Sequence, residues 1–260
     1  MQNSLIKFFL FILFTAVMYC SNLHAQNDLP ISVIIDGYKY STGYDTSNYT
    51  TQLTVTSEGS IADTRTYEGR LGRIEGFDLD NDGKTEVLVE YYSGGAHCCT
   101  TLEVYRMSGG KLVYLDSIFW RNGGYTVKDL NEDKKYEVVG DDDMFAYAFT
   151  SYAGNRSFLR IYDFSGDKFV DVTSQFRPLV MDKIRSLEKD LSEATKVPID
   201  CSGDGFSTNA GEVKTILAAI LGSYHSIGNT SMGYDLIEKT YNCSDKEKFV
   251  ETLKNEFKLK

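Results

Sequence analysis

Two acidic loops of one pattern, 51 residues apart, constrain the fold of this chain more than any other feature. They read Asp78-Leu-Asp80-Asn-Asp82-Gly83-Lys84-Thr-Glu86 and Asp129-Leu-Asn131-Glu-Asp133-Lys134-Lys135-Tyr-Glu137. Oxygen-bearing side chains occupy positions 1, 3, 5 and 9 of both loops, and this alternation lets a tight turn surround one hard cation. Gly83, at position 6, suits a sharp turn because glycine tolerates a positive φ. The pattern predicts a calcium-binding loop.

The two loops fit this prediction unequally. In the first, the predicted ligands are the side chains of Asp78, Asp80, Asp82 and Glu86 and the carbonyl of Lys84. In the second, they are the side chains of Asp129, Asn131, Asp133 and Glu137. Lys134 replaces the glycine there, and Lys134 with Lys135 places two positive charges beside the ligands, so the second site is predicted to be weak. A β-turn of Asn and Asp without a metal is the alternative.

The loops are not EF-hands, because Val89 stands where an EF-hand needs a bidentate glutamate at position 12. A strand-like run, Glu86–Tyr92, begins instead. An acidic loop that leads into a strand resembles the FG-GAP/VCBS repeat family, and the resemblance covers roughly residues 70–175. It implies blade-like strands of the kind found in integrin-like β-propellers, with calcium bound in the loops.

The N-terminus has the pattern of a signal peptide over residues 1–25. Lys7 precedes the apolar run from Phe8 to Tyr19, and Ala25 offers a small residue for cleavage. The mature chain is then exported, to the periplasm, the cell surface or the medium. No later segment is apolar enough for a transmembrane span.

The acidic composition, with a net charge of −10, argues against nucleic acid as a partner, because phosphates demand basic patches. A protein or a glycan is the expected ligand. Four cysteines follow the signal peptide, and in an oxidising compartment they favour disulfides. We expect a Cys201–Cys243 bond. Cys98 and Cys99 are adjacent and form either a vicinal disulfide or a pair of thiols.

Residues 26–176 are predicted to be β-rich, as propeller-like blades or a sandwich-like sheet, and residues 177–260 to be helical, which gives an α+β protein overall. Aromatic and β-branched residues alternate with polar ones and are broken by Gly, Asn and Asp. The predicted strands are Ile31–Asp36, Thr50–Thr56, Glu86–Tyr92, Thr101–Arg106, Lys111–Phe119, Tyr136–Val139, Phe158–Tyr162 and Lys168–Val172. The repeat extends beyond the loops and predicts two similar blades after a degenerate one at residues 30–76. Three blades cannot close a propeller, so the helices are expected to cover the exposed sheet edges.

Apolar residues at helical spacing predict helices over Leu179–Lys196 and Ala210–Tyr224, with shorter ones near Gly233–Tyr241 and Asp245–Phe257. Ser207 or Thr208 is expected to cap the second helix, and Ser244 the last.

Two segments outside the loops carry reactive or acidic groups. The first is interpreted as a rigid turn and reads Gly94-Gly95-Ala96-His97-Cys98-Cys99. Two alternatives are a Cys–His nucleophile pair, which lacks a third group to orient the base, and a soft-metal site, which lacks a fourth ligand. Asp141-Asp142-Asp143 is interpreted as a solvated turn or as a source of further cation ligands. His225 is expected at a helix end.

The sequence therefore predicts a calcium-binding, non-enzymatic interaction module. The alternatives are carbohydrate recognition by aromatic faces near the calcium site and, less favoured, a hydrolase with an acidic pair.

Overall fold

The computed structural model describes residues 30–95, 98–203 and 205–260. The predicted signal peptide and His97 lie outside the described residues. The strands are β1 Ser32–Ile35, β2 Tyr38–Asp45, β3 Thr50–Ser57, β4 Ser60–Glu68, β5 Arg70–Phe77, β6 Glu86–Tyr92, β7 Thr100–Ser108, β8 Lys111–Arg121, β9 Tyr125–Lys128, β10 Glu137–Asp142, β11 Phe158–Ser165 and β12 Lys168–Asp171. The helices are α1 Arg177–Ala194, α2 Asn209–Ser226, α3 Thr230–Thr240 and α4 Lys246–Asn255.

The strands form three antiparallel sheets, each a meander of four consecutive strands. The first sheet is β1–β4, the second β5–β8 and the third β9–β12. Four of the hairpins turn on two residues that both have a positive φ, as the twist of a two-residue hairpin demands. These pairs are Asp36–Gly37, Glu58–Gly59, Gly109–Gly110 and Gly166–Asp167. The predicted β-rich α+β fold is confirmed, and the described sheets do not close into a barrel.

The sheets stack face to face, with one apolar layer in each gap. Leu53 and Val55 of the first sheet share a core with Val87 and Val89 of the second. Leu88 faces the other way and shares a core with Val138 and other residues of the third sheet. Because alternate side chains of a strand point to opposite faces, β6 is buried on both sides. This explains its nearly continuous apolar run.

The helices pack against the third sheet. Helices α1 and α2 both contact β11, which is an interior strand of that sheet, so the expectation that they cover edges is wrong. Their core includes Phe158 of β11 together with Phe145 and Phe149 from the β10–β11 connection. In the described part of the chain, no helix is both long enough and apolar enough to cross a membrane.

The disulfide and the helix caps fix the ends of this helical layer. Cys201 and Cys243 are bonded to each other, which confirms the expected pairing. Thr208 caps α2, since its hydroxyl accepts the backbone N–H of Ala210 at 3.3 Å. The expected cap at Ser244 is wrong, because Asp245 occupies the N-cap position of α4.

At the opposite end of the stack, the first sheet presents a polar outer face. Ser41, Thr54 and Thr64 are paired in register across β2, β3 and β4, on the side away from the buried Leu53 and Val55. A polar face lets the stack end without a further sheet. The predicted extent of the first blade, residues 30–76, is wrong at its end, because β5 pairs with β6 and belongs to the second sheet.

Candidate metal centre

The first acidic loop connects β5 to β6 and folds around the carboxylate of its first residue. Asp78 accepts the backbone N–H of Asp82 on Oδ1 and that of Gly83 on Oδ2, both at 3.0 Å. Glu86, at the first position of β6, accepts the N–H of Leu79 at 2.9 Å. The two ends of the loop are thus held together by side chains at positions 1 and 9.

The second loop, between β9 and β10, repeats this hydrogen bonding. Asp129 accepts the N–H groups of Asp133 and Lys134 at 3.1 and 3.0 Å, and Glu137 accepts that of Leu130 at 2.8 Å. Position 6 has a positive φ in both loops, +82° at Gly83 and +70° at Lys134. The lysine therefore adopts the turn that the sequence pattern assigned to glycine, at the steric cost that a Cβ brings there.

Three carboxylates of the first loop gather around one point. Ligand atoms of Asp78, Asp80 and Glu86 all lie within 4.8 Å of one another. Oδ1 of Asp80 is buried and has no hydrogen-bond partner. Like charges this close repel one another, and a buried carboxylate oxygen without a donor is costly, so a bound cation would relieve both penalties. Hard carboxylate oxygens suit Ca²⁺.

Asp82, also predicted as a ligand, is engaged elsewhere. Its carboxylate accepts the N–H of Lys84 at 2.8 Å and the Nζ of the same residue at 2.6 Å. In the second loop Asp133, at the same position as Asp82, accepts the N–H of Lys135 at 2.9 Å and the side-chain amide of Asn131 at 3.1 Å. The gathered set in the first loop is therefore smaller than the sequence pattern indicates.

Arg106, which the sequence analysis missed, contacts the first loop from β7. Its Nε donates to Oε1 of the fully buried Glu86 at 3.0 Å, and its NH1 donates to Asp167 of the third sheet at 2.7 Å. Burial raises the pKa of Glu86 even though Arg106 and the N–H of Leu79 favour the ionised form. The signal for this contact is cross-strand register, because Glu86 pairs with Arg106 between β6 and β7.

The second glutamate has a different environment. Burial raises the pKa of Glu137, and the nearby Asp133 and Asp163 raise it further, while the N–H of Leu130 opposes them. Where Glu86 has a guanidinium, Glu137 has carboxylate neighbours. The two loops therefore share their backbone hydrogen bonding but differ in the charges that surround the glutamate at position 9.

The Cys98–Cys99 segment lies at the other end of β6 from the first loop. Cys98 and Cys99 are bonded to each other as a vicinal disulfide, which leaves no thiol for the nucleophile or soft-metal alternatives. Ser93 holds this turn, because its Oγ accepts the N–H of Cys99 at 3.0 Å. The seven residues of β6 separate the turn from the first acidic loop by roughly 20 Å.

The three consecutive aspartates do not form a solvated turn. Asp141 and Asp142 belong to β10, and Asp143 is only 5% exposed. Asp141 accepts Nζ of Lys183 at 2.7 Å, and Asp142 accepts NH1 of Arg121 at 2.7 Å.

His225 lies in the last turn of α2, as expected, with Nδ1 3.0 Å from the hydroxyl of Thr230. Burial and the nearby Arg160 lower its pKa, so a charge interaction with the helix dipole is disfavoured.

Comparisons with known proteins give two distant relatives. The chain is 29% identical over 211 residues, 79% of its length, to a probable thylakoid lumen protein of Synechocystis, of which the match covers 57%. It is 28% identical over 94 residues, 35% of its length, to an uncharacterized protein of Sinorhizobium fredii, of which the match covers 15%. The chain thus spans little more than half of the first relative. No family model matches the chain. No solved structure matches it.

Proposed function

We propose that this chain is an exported, calcium-binding module without enzymatic activity, which acts by binding a protein or a glycan. The observation that carries the calcium assignment is the gathering of Asp78, Asp80 and Glu86 around the unpartnered Oδ1 of Asp80. Three meander sheets in sequence, two of which carry the same acidic loop between their first and second strands, support the FG-GAP/VCBS-like interpretation.

Export is supported by three independent features. The signal-peptide pattern precedes the fold, the Cys201–Cys243 bond suits an oxidising compartment, and one relative is a probable thylakoid lumen protein.

Calcium in this loop would have a structural role. The loop lies where β5 passes into β6, and β6 is the strand that carries core residues on both faces. A cation held by Asp78, Asp80 and Glu86 would fix the start of that strand. The remaining coordination positions would be filled by a backbone carbonyl and water, as is common for Ca²⁺.

The hydrolase alternative is weakened by how the acidic groups are used. Asp141 and Asp143 line one pocket, but Asp141 is already bound to Lys183 at 2.7 Å. The two acids are separated by one residue and come from one strand end, whereas a glycosidase-type pair flanks its substrate from two sides. This arrangement favours binding over catalysis.

The test is a calorimetric titration of residues 26–260 with CaCl₂, beside Asp80→Asn and Asp133→Asn. The wild-type chain should bind calcium at one strong site. Asp80→Asn should weaken that site by tenfold or more, because it removes the charge at the gathered carboxylates. Asp133→Asn, the same type of substitution at position 5 of the second loop, should leave it within about twofold.

Thermal unfolding in CaCl₂, MgCl₂ and chelator gives a second readout, since a ligand of the native state raises the melting temperature. The calcium assignment would be rejected if calcium gave no heat of binding in the titration and did not shift the melting temperature of the wild-type protein.

A further inference from the structure

A pocket of about 360 Å³ lies at the end of the strands opposite the calcium loops. It is formed between the β8–β9 turn, which contributes Asn122, and the connection after β10, which contributes Asp143, Tyr152, Asn155 and Ser157. The volume is at the lower end of the range for small-molecule sites. We refer to it as the Asp143 pocket.

Asp143 is the one acid of its run without an ion pair among the described residues. Its neighbours Asp141 and Asp142 are bound by Lys183 and Arg121. Asp143 is 95% buried, and neither of its carboxylate oxygens has a hydrogen-bond partner of normal geometry. Burial raises its pKa, although Asn122 and Arg121 favour the ionised form. A buried carboxyl group in this state needs a donor.

Part of the pocket lining is aromatic. Tyr152 lines the pocket, and the ring of Tyr147 stacks on Tyr152 with centroids 5.8 Å apart and planes inclined by 29°. Tyr147 is half exposed, so the pair adds an exposed aromatic surface beside the pocket. Tyrosine combines a flat apolar face with a hydroxyl group, which suits ligands that are both apolar and polar.

The polar residues that line the pocket are contacted by side chains of α1 and α2 that lie outside it. Asn155 accepts the hydroxyl of Thr215 from α2 at 3.1 Å. Nζ of Lys183 contacts Asp141 and lies 3.5 Å from Oγ of Ser157. The pocket is therefore supported by both the third sheet and the helical layer, which favours a preformed site.

We propose that the Asp143 pocket binds a neutral, hydroxyl-rich ring ligand, namely a saccharide unit. Asn122 is near the carboxylate of Asp143 without completing a hydrogen bond of normal geometry, so sugar hydroxyls can donate to both carboxylate oxygens. The C–H face of a pyranose ring packs on the Tyr147–Tyr152 pair. Asp141 and Asp143 disfavour an anionic ligand, and Lys183, behind the pocket lining, already balances the charge of Asp141, so the pocket offers little to a strongly cationic ligand. This inference rests on the proposed binding function and specifies its ligand class. The saccharide site lies away from the proposed calcium loop, so saccharide binding and calcium binding can be tested separately.

Saturation-transfer difference NMR tests the proposal on residues 26–260, with glucose, galactose, mannose, N-acetylglucosamine and cellobiose as probes. Each is measured in CaCl₂ and in chelator. At least one probe should bind the wild-type protein in CaCl₂. The same probe should lose most of its signal in Asp143→Ala and in Tyr152→Ala. It should keep its signal in Tyr49→Ala, a control at a tyrosine that is 72% exposed and lies in the turn between β2 and β3.

Asp143→Asn and Tyr152→Phe keep the shapes of the side chains and guard against loss of folding. Asp143→Asn should weaken binding by about fivefold or more, whereas Tyr152→Phe should keep the stacking face and lose less than Tyr152→Ala. Two results of the saccharide experiment would overturn the proposal. One is that no saccharide probe binds in CaCl₂; the other is that binding survives both alanine variants. Binding of 1,5-diaminopentane in place of the sugars would also overturn it, because the site would then be one for organic cations. Calcium binding with no sugar signal would leave the proposed function standing and reject this inference alone.

Discussion

The buried carboxylate of Glu86 accepts a hydrogen bond from the guanidinium of Arg106, its partner across β6 and β7. Arg106 also contacts Asp167 in the turn between β11 and β12. One arginine thus joins the candidate calcium loop of the second sheet to the third sheet. This contact predicts that the loop and the packing of the two sheets depend on each other.

Arg106→Gln should destabilise the protein by about 3–5 kcal/mol, the range seen when one partner of a buried ion pair is removed. The reason is that Glu86 is fully buried and would lose the charge that faces it. Urea unfolding at pH 7 measures the change. The matched control is Asp167→Asn, whose side chain is 55% exposed, and it should cost no more than about 1 kcal/mol. Equal losses in the two variants would contradict this account.

Position 6 of the two loops offers a reciprocal pair of substitutions. Gly83→Ala should destabilise by about 1 kcal/mol, because a Cβ there meets no neighbour within 4 Å and the cost is that of a positive φ alone. Lys134→Gly relieves the same strain and should leave stability unchanged or raise it by up to about 1 kcal/mol. Thermal unfolding in chelator, which removes any contribution from calcium, measures both. A more stable Gly83→Ala variant would show that the turn is not strained.

The disulfide between Cys201 and Cys243 closes a loop over 42 positions in sequence. By the chain-entropy model, Cys201→Ser should lower stability by about 4 kcal/mol while leaving the calcium affinity unchanged, because the bond lies in the helical region and the loop lies between sheets. Calcium titration and thermal unfolding on the same samples check both parts. Cys99→Ser is the matched control, since that bond joins adjacent residues and constrains little of the unfolded chain. A Cys201→Ser variant that loses calcium affinity but melts as before would contradict the separation.

The pair of Asp245 and Lys214 predicts a loss of stability in acid. Burial alone would raise the pKa of Asp245, but hydrogen bonds from Lys214 and Tyr241 outweigh burial and lower it. A carboxyl group whose pKa is lower in the folded state stabilises the protein above its unfolded-state pKa. That contribution is lost as the pH falls through the folded-state value.

Urea unfolding from pH 7 to pH 3 should therefore show wild-type protein more stable than Asp245→Asn at neutral pH. The difference should shrink below about pH 4, where aspartate in the unfolded chain takes up its proton. A difference that stays constant across this range would mean that the charge of Asp245 does not contribute.

Local patterns predicted most of the elements. The strand at Glu86–Tyr92 has the predicted bounds, and α2 extends the predicted Ala210–Tyr224 by one residue at its start and two at its end. Four strands, β2, β4, β5 and β9, were not predicted. β2 is the sequence Tyr-Lys-Tyr-Ser-Thr-Gly-Tyr-Asp, in which polar residues and a glycine hide the alternation. Such strands form because neighbouring strands pair with them, and pairing is not visible in a local window.

The sequence by itself determined the spacing of the two acidic loops and the change from β-strands to helices, because each depends on residues close together in the chain. Only the tertiary structure decided which side chains from distant parts of the chain meet. It set Arg106 against Glu86 through strand register, and it joined Arg106 to Asp167 of the third sheet. It also buried Asp143 at the far end of the strands from the first acidic loop. The physical reason is that the charge environment of a side chain is fixed by neighbours from other strands and sheets, and those neighbours are chosen by packing and register.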